Sequence, residues 1–63
     1  MSRILVADDE EGVREFIGET LQGAGHEVVL AEDGKRALDE LTAAGFDVLV
    51  TDQEITAEWR ERV

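Results

Sequence analysis

The sequence has 63 residues, of which 16 are acidic and six basic, giving a formal net charge of -10, and it contains no cysteine. This length allows at most one small domain, and the lack of thiols excludes disulfides and thiolate metal sites. The charge argues against binding to nucleic acid or to an anionic membrane surface, because both depend on basic side chains. The first apolar run is too short for a signal peptide or a membrane span. We therefore expect a cytoplasmic domain that favours cations.

The first part of the chain predicts a strand, a helix and a second strand. Residues 4–7 are an apolar run without polar alternation, which is typical of a strand buried on both faces of a parallel sheet. The apolar residues that follow recur at helical spacing: Val13, Phe16, Ile17, Leu21 and Ala24. Gly23 or Gly25 ends this helix, because glycine adopts the left-handed turn at little cost. Residues 28–31 are a second apolar run and predict the second strand.

The second part of the chain predicts another helix and a third strand. The helical spacing returns at Ala37, Leu38, Leu41 and Ala44, and Gly45 closes the helix. Val48–Thr51 is the third apolar run. The β-α-β-α-β order implies three parallel strands in the order 2-1-3, with helices on both faces.

The end of the chain is expected to form a short amphipathic helix. Ile55, Trp59 and Val63 are spaced four apart, which is typical of one face of a helix and predicts that the tail over residues 56–63 is helical. We therefore divide the chain into a domain over residues 1–55 and a tail over residues 56–63.

Three aspartates follow strands whose carboxyl ends are expected at one edge of the sheet. Asp8 and Asp9 follow the first strand, and Asp52 follows the third. In open parallel sheets, ligands bind outside the carboxyl ends of the strands. A cluster of carboxylate oxygens suits Mg²⁺, which takes one or two carboxylates and keeps several waters.

A purely structural role explains the same aspartates equally well at this point. Asp8 with Glu11 fits a capping box at the start of the first helix, where a carboxylate is favourable. Asp52 fits the end of its strand. The spacing alone leaves both interpretations open.

Three longer stretches of the sequence resemble a known family in order and spacing: RILVADDE, GHEVVLAEDGKRALDEL and FDVLVTD. Together, residues 3–52 resemble the receiver domain of two-component response regulators. The resemblance implies a flavodoxin-like fold and a role in phosphorelay signalling, with a sensor histidine kinase as partner. It implies phosphorylation at Asp52, and Mg²⁺ held by Asp8, Asp9, Asp52 and the backbone carbonyl of Glu54. It implies a signalling domain rather than an enzyme, with no catalytic residues.

The sequence departs from the family pattern in two ways. The family follows its acceptor with Asp-x-x-Met-Pro, whereas Ile55 and Thr56 occupy the last two positions here. Ile55 can replace the packing of methionine, but Thr56 does not fix φ as proline does. The family fold continues with two further strands and three further helices, which bring a hydroxyl residue and a lysine. No residue of this sequence inherits those roles, Lys35 included, so we expect a receiver truncated after the third strand, with slow or undetectable phosphotransfer.

Two functions remain open from the sequence. The first is signalling through phosphorylation of Asp52. The second is a phosphotransfer-incompetent half-domain that binds a kinase through its first helix or associates with itself. The third strand is expected to expose an unpaired edge, which invites pairing with another strand. We therefore expect a two-fold homodimer in which the third strands pair antiparallel, in the order 2-1-3-3′-1′-2′.

Overall fold

The computed structural model describes residues 1–62, apart from the side chains of residues 53, 58 and 60–62. The elements in chain order are β1 (Arg3–Ala7), α1 (Glu11–Gly23), β2 (Glu27–Ala31), α2 (Gly34–Ala43), β3 (Val48–Thr51) and α3 (Gln53–Arg62). The expected alternation of strands and helices is confirmed. None of these helices, within the described residues, is long and apolar enough to cross a membrane.

The three strands form one parallel sheet in the order β2-β1-β3, which confirms the expected order 2-1-3. Ala7 at the end of β1 is aligned with Ala31 at the end of β2 and with Thr51 at the end of β3. All three strands therefore end level. The residues that follow β1 and β3 emerge side by side at the carboxyl edge of the sheet.

One face of the sheet carries the main hydrophobic core, under α2 and α3. Leu5 and Ala7 of β1 pack there with Ala37 of α2 and Ile55 of α3, and each of these side chains is at most 2% exposed. Full burial of a side chain the size of leucine or isoleucine contributes about 1.5–3 kcal/mol. Ile55 therefore anchors α3 on the sheet, in agreement with the packing expected of it.

The opposite face of the sheet is covered by α1, which approaches β2 closely at Gly18. A Cβ atom built on Gly18 would lie 2.8 Å from Cδ2 of Leu30, so the lack of a side chain permits this approach. Phe16, on the same helix, is 70% exposed. The helical spacing predicts the helix correctly, but it does not show that Phe16 lies on an uncovered flank.

Local sequence signals fix the ends of the first two helices. The last residue of α1 is Gly23, and Gly25 adopts the left-handed conformation with φ of 95°. The carboxylate of Asp33 caps α2 by accepting a hydrogen bond of 2.8 Å from the backbone N–H of Arg36. Such a cap is worth about 1 kcal/mol because it satisfies a donor that has no partner within the helix.

The third helix begins at Gln53, three residues before the start at residue 56 that the sequence suggests, so that boundary was wrong. The reason is Thr56, whose backbone N–H donates to the carbonyl oxygen of Asp52 at 3.2 Å. Proline at this position would remove the donor and disfavour helical geometry at the preceding residue. The expected division between residues 1–55 and 56–63 therefore falls inside α3. Val63, the last residue of the expected apolar face, lies outside the described residues.

Candidate metal centre

The aspartates that follow β1 and β3 come together at the carboxyl edge of the sheet. Asp8, Asp9 and Asp52, which we call the acidic cluster, each offer a carboxylate oxygen, and these oxygens lie within 4.8 Å of one another. Asp8 and Asp52 are partly buried, whereas Asp9 is exposed. The convergence follows from the level ends of the two strands, as the sequence pattern suggests.

Asp8 is held by its neighbours through both backbone and side chain. Its backbone N–H donates to the carbonyl oxygen of Ala31 at 3.2 Å, which extends the pairing of β1 with β2. Its Oδ1 accepts a hydrogen bond of 2.9 Å from the backbone N–H of Glu10. The residue that precedes α1 is Glu10, and no side chain caps this helix. The capping box of Asp8 with Glu11 is therefore wrong, because Asp8 instead forms a turn just before the helix.

Asp52 caps the helix that follows it. Its Oδ1 accepts a hydrogen bond of 2.9 Å from the backbone N–H of Ile55, and its carbonyl oxygen accepts one of 3.0 Å from Oγ1 of Thr56. Asp52 thus has a structural role as a helix cap, beyond the strand end that the sequence suggests, but this role occupies only one carboxylate oxygen. Among the described residues, Oδ2 of Asp52 has no hydrogen-bond partner, so it is free to act as a ligand or as a nucleophile.

The side chain of Glu54 adds a fourth carboxylate beside the acidic cluster. The sequence pattern predicted a role only for the backbone carbonyl of this residue and not for its side chain. A side-chain hydrogen bond with Asp9 raises the pKa of the Glu54 carboxyl, and repulsion from Asp9 and Asp52 raises it further. Both effects have the same physical cause, because nearby negative charges disfavour the ionised form of a carboxyl group. The sequence signal was available in its position two residues after Asp52, in the first turn of α3.

The backbone carbonyl of Glu54 is the further ligand that the family resemblance implies. Glu54 lies in the first turn of α3, two residues after Asp52. Its role as a metal ligand stays a prediction.

The acidic cluster fits a small, hard cation. Mg²⁺ binds oxygen ligands at about 2.0–2.1 Å in octahedral geometry, which places neighbouring and opposite ligand oxygens roughly 3–4 Å apart. The carboxylate oxygens of the cluster lie within 4.8 Å of one another, which is close to this spacing. A donor set made only of oxygen atoms favours Mg²⁺ or Ca²⁺ over metals that prefer nitrogen or sulfur.

The chain belongs to the response regulator receiver domain family, whose model matches residues 4–59. This match confirms the resemblance noted from the sequence, and it extends through most of α3.

Curated relatives from several bacteria resemble part of this chain. It is 44% identical over 50 residues to the uncharacterized transcriptional regulatory protein YrkP of Bacillus subtilis, which covers 79% of this chain and 21% of that protein. It is 46% identical over 50 residues to the response regulator MprA of Mycobacterium avium, which covers 79% of this chain and 22% of that protein. The CAI-1 autoinducer sensor kinase/phosphatase CqsS of Vibrio cholerae is 38% identical over 53 residues, covering 84% of this chain and 8% of that protein. The chain thus spans only a small part of each relative.

Solved structures share the fold. The chemotaxis response regulator CheY4 of Vibrio cholerae has a TM-score of 0.84 and 40% identity, covering 87% of this chain and 46% of that chain. The response regulator TrrA of Thermotoga maritima, solved in complex with Mg(2+)-BeF, has a TM-score of 0.75 and 34% identity. That comparison covers 98% of this chain and 61% of TrrA. The flavodoxin-like fold expected from the resemblance is therefore confirmed.

Proposed function

We propose that this receiver domain binds Mg²⁺ at the acidic cluster and accepts a phosphoryl group on Asp52 during two-component signalling. The observation that carries the proposal is the convergence of three carboxylate oxygens within 4.8 Å at the carboxyl edge of the sheet. The family membership supports it, as does the similarity to TrrA, which was solved with Mg(2+)-BeF. The role is that of a phosphoryl acceptor in the cytoplasm rather than that of an enzyme.

In the proposed reaction, Asp52 is the nucleophile. Its free Oδ2 attacks the phosphorus atom of a donor, the bond from phosphorus to the leaving group breaks, and an acyl phosphate forms on Asp52. The leaving group departs with the electron pair of the broken bond. Oδ1 meanwhile stays bonded to the backbone N–H of Ile55, which holds the carboxylate in a fixed orientation. Asp8 and Asp9 would hold Mg²⁺, which when bound would offset negative charge on the transferring phosphoryl oxygens.

The proposed donor in the cell is a sensor histidine kinase, as the family resemblance implies. The similarity of this chain to part of CqsS, a sensor kinase/phosphatase, is compatible with such a pathway. The formal charge of -10 disfavours direct binding of nucleic acid or of anionic membranes.

The proposal is tested by incubating the chain with acetyl phosphate and MgCl₂ and measuring its intact mass. We expect the mass of the chain to rise slowly by one phosphoryl group. When a chelator removes Mg²⁺, we expect no gain in mass. The rate is expected to be slow because Lys35, the sole lysine of the sequence, lies on α2 and forms no ion pair with the acidic cluster in the described part of the chain. Asp52→Asn should abolish the mass gain. Asp39→Asn, which removes an exposed carboxylate on α2, should retain it.

A chain that gains no phosphoryl group, with Mg²⁺ bound, would favour a second function. In that case the domain binds a partner without phosphotransfer. The observation that favours this candidate is Phe16, a large apolar side chain that is 70% exposed on α1. Loss of binding to a kinase by Phe16→Ser, with the melting temperature unchanged, would identify α1 as the docking helix.

Self-association is a further part of this second candidate. In the described structure β3 pairs with β1 on one side, and no described strand pairs with its other edge. Val48 on this strand is 44% exposed. An unpaired apolar edge is a template for another strand. We propose that a second copy of the chain pairs with this edge.

A further inference from the structure

Arg14 of α1 reaches back to the loop that carries two members of the acidic cluster. Its Nη1 donates a hydrogen bond of 2.8 Å to the backbone carbonyl oxygen of Asp8, six residues earlier. The arginine is partly buried, and its own backbone N–H donates to the carbonyl oxygen of Glu10 at 2.9 Å. Hydrogen bonds from a charged donor are shorter and stronger than neutral ones. The guanidinium therefore holds this carbonyl firmly.

This carbonyl belongs to the peptide unit that joins Asp8 to Asp9. The N–H of Asp8 is fixed by the end of β2, and its Oδ1 is fixed by Glu10. With the carbonyl held by Arg14, the backbone of Asp8 has little freedom to rotate. The orientation of the peptide unit then sets the direction in which the exposed Asp9 leaves the sheet.

We infer that Arg14 is a positioning residue for the metal site, acting on Asp9 through the peptide unit that follows Asp8. The inference rests on the proposed Mg²⁺ binding and deepens it, since it names a basic residue that the site requires. A purely electrostatic role predicts the reverse, because a guanidinium charge close to the cluster repels the metal ion. The two explanations therefore predict changes of opposite sign when Arg14 is neutralised.

Arg36 provides a matched control for the loss of charge. It lines the same surface cleft as Arg14, beside Leu30 and Glu32. Its guanidinium is paired with Glu40 on its own helix, at 3.4 Å between Nε and Oε1, and its side chain is 63% exposed. No hydrogen bond joins it to Asp8 in the described structure. Arg36→Met therefore removes a similar charge without freeing the carbonyl.

The test measures the Mg²⁺ dissociation constant of the chain and its variants by calorimetric titration at fixed ionic strength. Arg14→Met should raise the dissociation constant about tenfold, the effect typical of residues that orient metal ligands. Arg36→Met should leave it unchanged or lower it. Arg14→Lys, which keeps the charge and a donor, should recover part of the binding. Arg14→Gln provides a second neutral variant with good helix propensity if Arg14→Met does not fold.

A second measurement needs no metal. The backbone amide resonance of Asp9 reports on the peptide unit, so Arg14→Met and Arg14→Gln should shift it, whereas Arg36→Met should not. The inference about Arg14 would be overturned if its neutral variants bind Mg²⁺ as tightly as Arg36→Met, or if they leave the Asp9 amide unshifted. The proposed metal site would then still stand. A wild-type chain that binds no Mg²⁺ would overturn the proposed metal site and this inference together.

Discussion

The indole Nε1 of Trp59 donates a hydrogen bond of 2.8 Å to the backbone carbonyl oxygen of Gly34. The bond joins α3 to the first residue of α2, and Trp59 also packs against the core that contains Ile55. A helix of 10 residues is too short to be stable alone in water. The position of α3, and of Asp52 that caps it, therefore depends on these contacts.

Replacement of Trp59 by phenylalanine should lower the free energy of unfolding. The substitution keeps an aromatic ring but removes the indole donor, and the loss of one hydrogen bond costs about 1 kcal/mol. Urea denaturation followed by circular dichroism measures the change. In the wild-type chain the indole proton should exchange more slowly with solvent than that of free tryptophan. Equal exchange rates would show that the hydrogen bond does not form in solution.

Gly18 and Gly12 should respond differently to alanine. Alanine favours a helix over glycine by about 1 kcal/mol, and a Cβ on Gly12 meets no atom within 4 Å. On Gly18 the new Cβ meets Leu30 at 2.8 Å. Leu30 is 42% exposed and can move aside, so we expect Gly18→Ala to be close to neutral and Gly12→Ala to stabilise. Urea denaturation of both variants measures the difference.

The double variant Gly18→Ala with Leu30→Ala supplies the control for this contact. If the new methyl group at position 18 clashes with the side chain of Leu30, Gly18→Ala should stabilise the chain more in the Leu30→Ala background than in the wild-type background. Equal effects in the two backgrounds would rule out the steric conflict, because independent sites add.

The sequence predicts the parts of this structure that rest on hydrophobic pattern. Apolar runs give the strands, and their parallel alignment brings Asp8 and Asp52 to one edge. The features that it misses depend on local backbone geometry. The helix start at Gln53 depends on the N–H of Thr56, and the approach of the Glu54 side chain to Asp9 follows from that early start. The reach of Arg14 across six residues to Asp8 has no signature in periodicity, because it depends on the shape of the loop.

Mg²⁺ should raise the melting temperature of the chain, because a bound cation relieves repulsion in the acidic cluster. A ligand present at tenfold excess over its dissociation constant stabilises the folded state by about 1.4 kcal/mol. NaCl at matched ionic strength should have a smaller effect. Asp9→Asn should reduce the response to Mg²⁺, whereas Asp39→Asn should not. Equal responses to the two salts in the wild-type chain would indicate general screening instead of a site.

The stability of the chain should depend on pH through Glu54, whose pKa is raised in the folded state from its ordinary value of 4.5. A raised carboxyl pKa means that the folded state binds the proton more tightly than the unfolded state. The stability that the proton on Glu54 gives to the folded state is therefore complete below pH 4.5. It is lost as the pH rises through the folded-state pKa. Glu54→Gln should stabilise the chain at neutral pH and lose this advantage in acid.

The test of this prediction compares melting temperatures of the wild-type chain and Glu54→Gln between mildly acidic and neutral pH. Because Glu54 is exposed, the difference should shrink as salt is added. A constant difference at every pH would mean that the substitution acts through packing or helix propensity and not through charge.

The outer edge of β3 is the predicted site of self-association, and the backbone geometry shows how to test it. The N–H of Asp8 donates to the carbonyl oxygen of Ala31 on β2 at 3.2 Å, and alternate residues of a parallel strand direct their hydrogen-bonding groups to the same neighbour. The even-numbered residues of β1 therefore face β2, and the odd-numbered ones, such as Leu5, face β3. Because Leu5 is aligned with Leu49, it bonds to the residues that flank Leu49. The N–H of Val48 therefore faces β1, whereas the N–H of Leu49 faces the outer edge.

Charge favours an antiparallel pairing of two copies across this edge. Each chain carries a formal charge of -10, and a parallel junction would bring both acidic clusters to the same end of the joined sheet. Antiparallel pairing separates them to opposite ends, where salt screens the remaining repulsion. Added NaCl should therefore strengthen association.

Proline substitution distinguishes the two sides of β3. Leu49→Pro removes an outward N–H and should abolish association, while the monomer keeps its circular dichroism spectrum. Val48→Pro removes a hydrogen bond to β1 and should unfold the chain, because a sheet does not tolerate the loss of an internal donor. Light scattering across a wide concentration range measures the oligomeric state of the wild-type chain and of Leu49→Pro. A wild-type chain that remains a folded monomer at high concentration, or a Leu49→Pro variant that associates as strongly as the wild type, would show that β3 does not pair with a second copy.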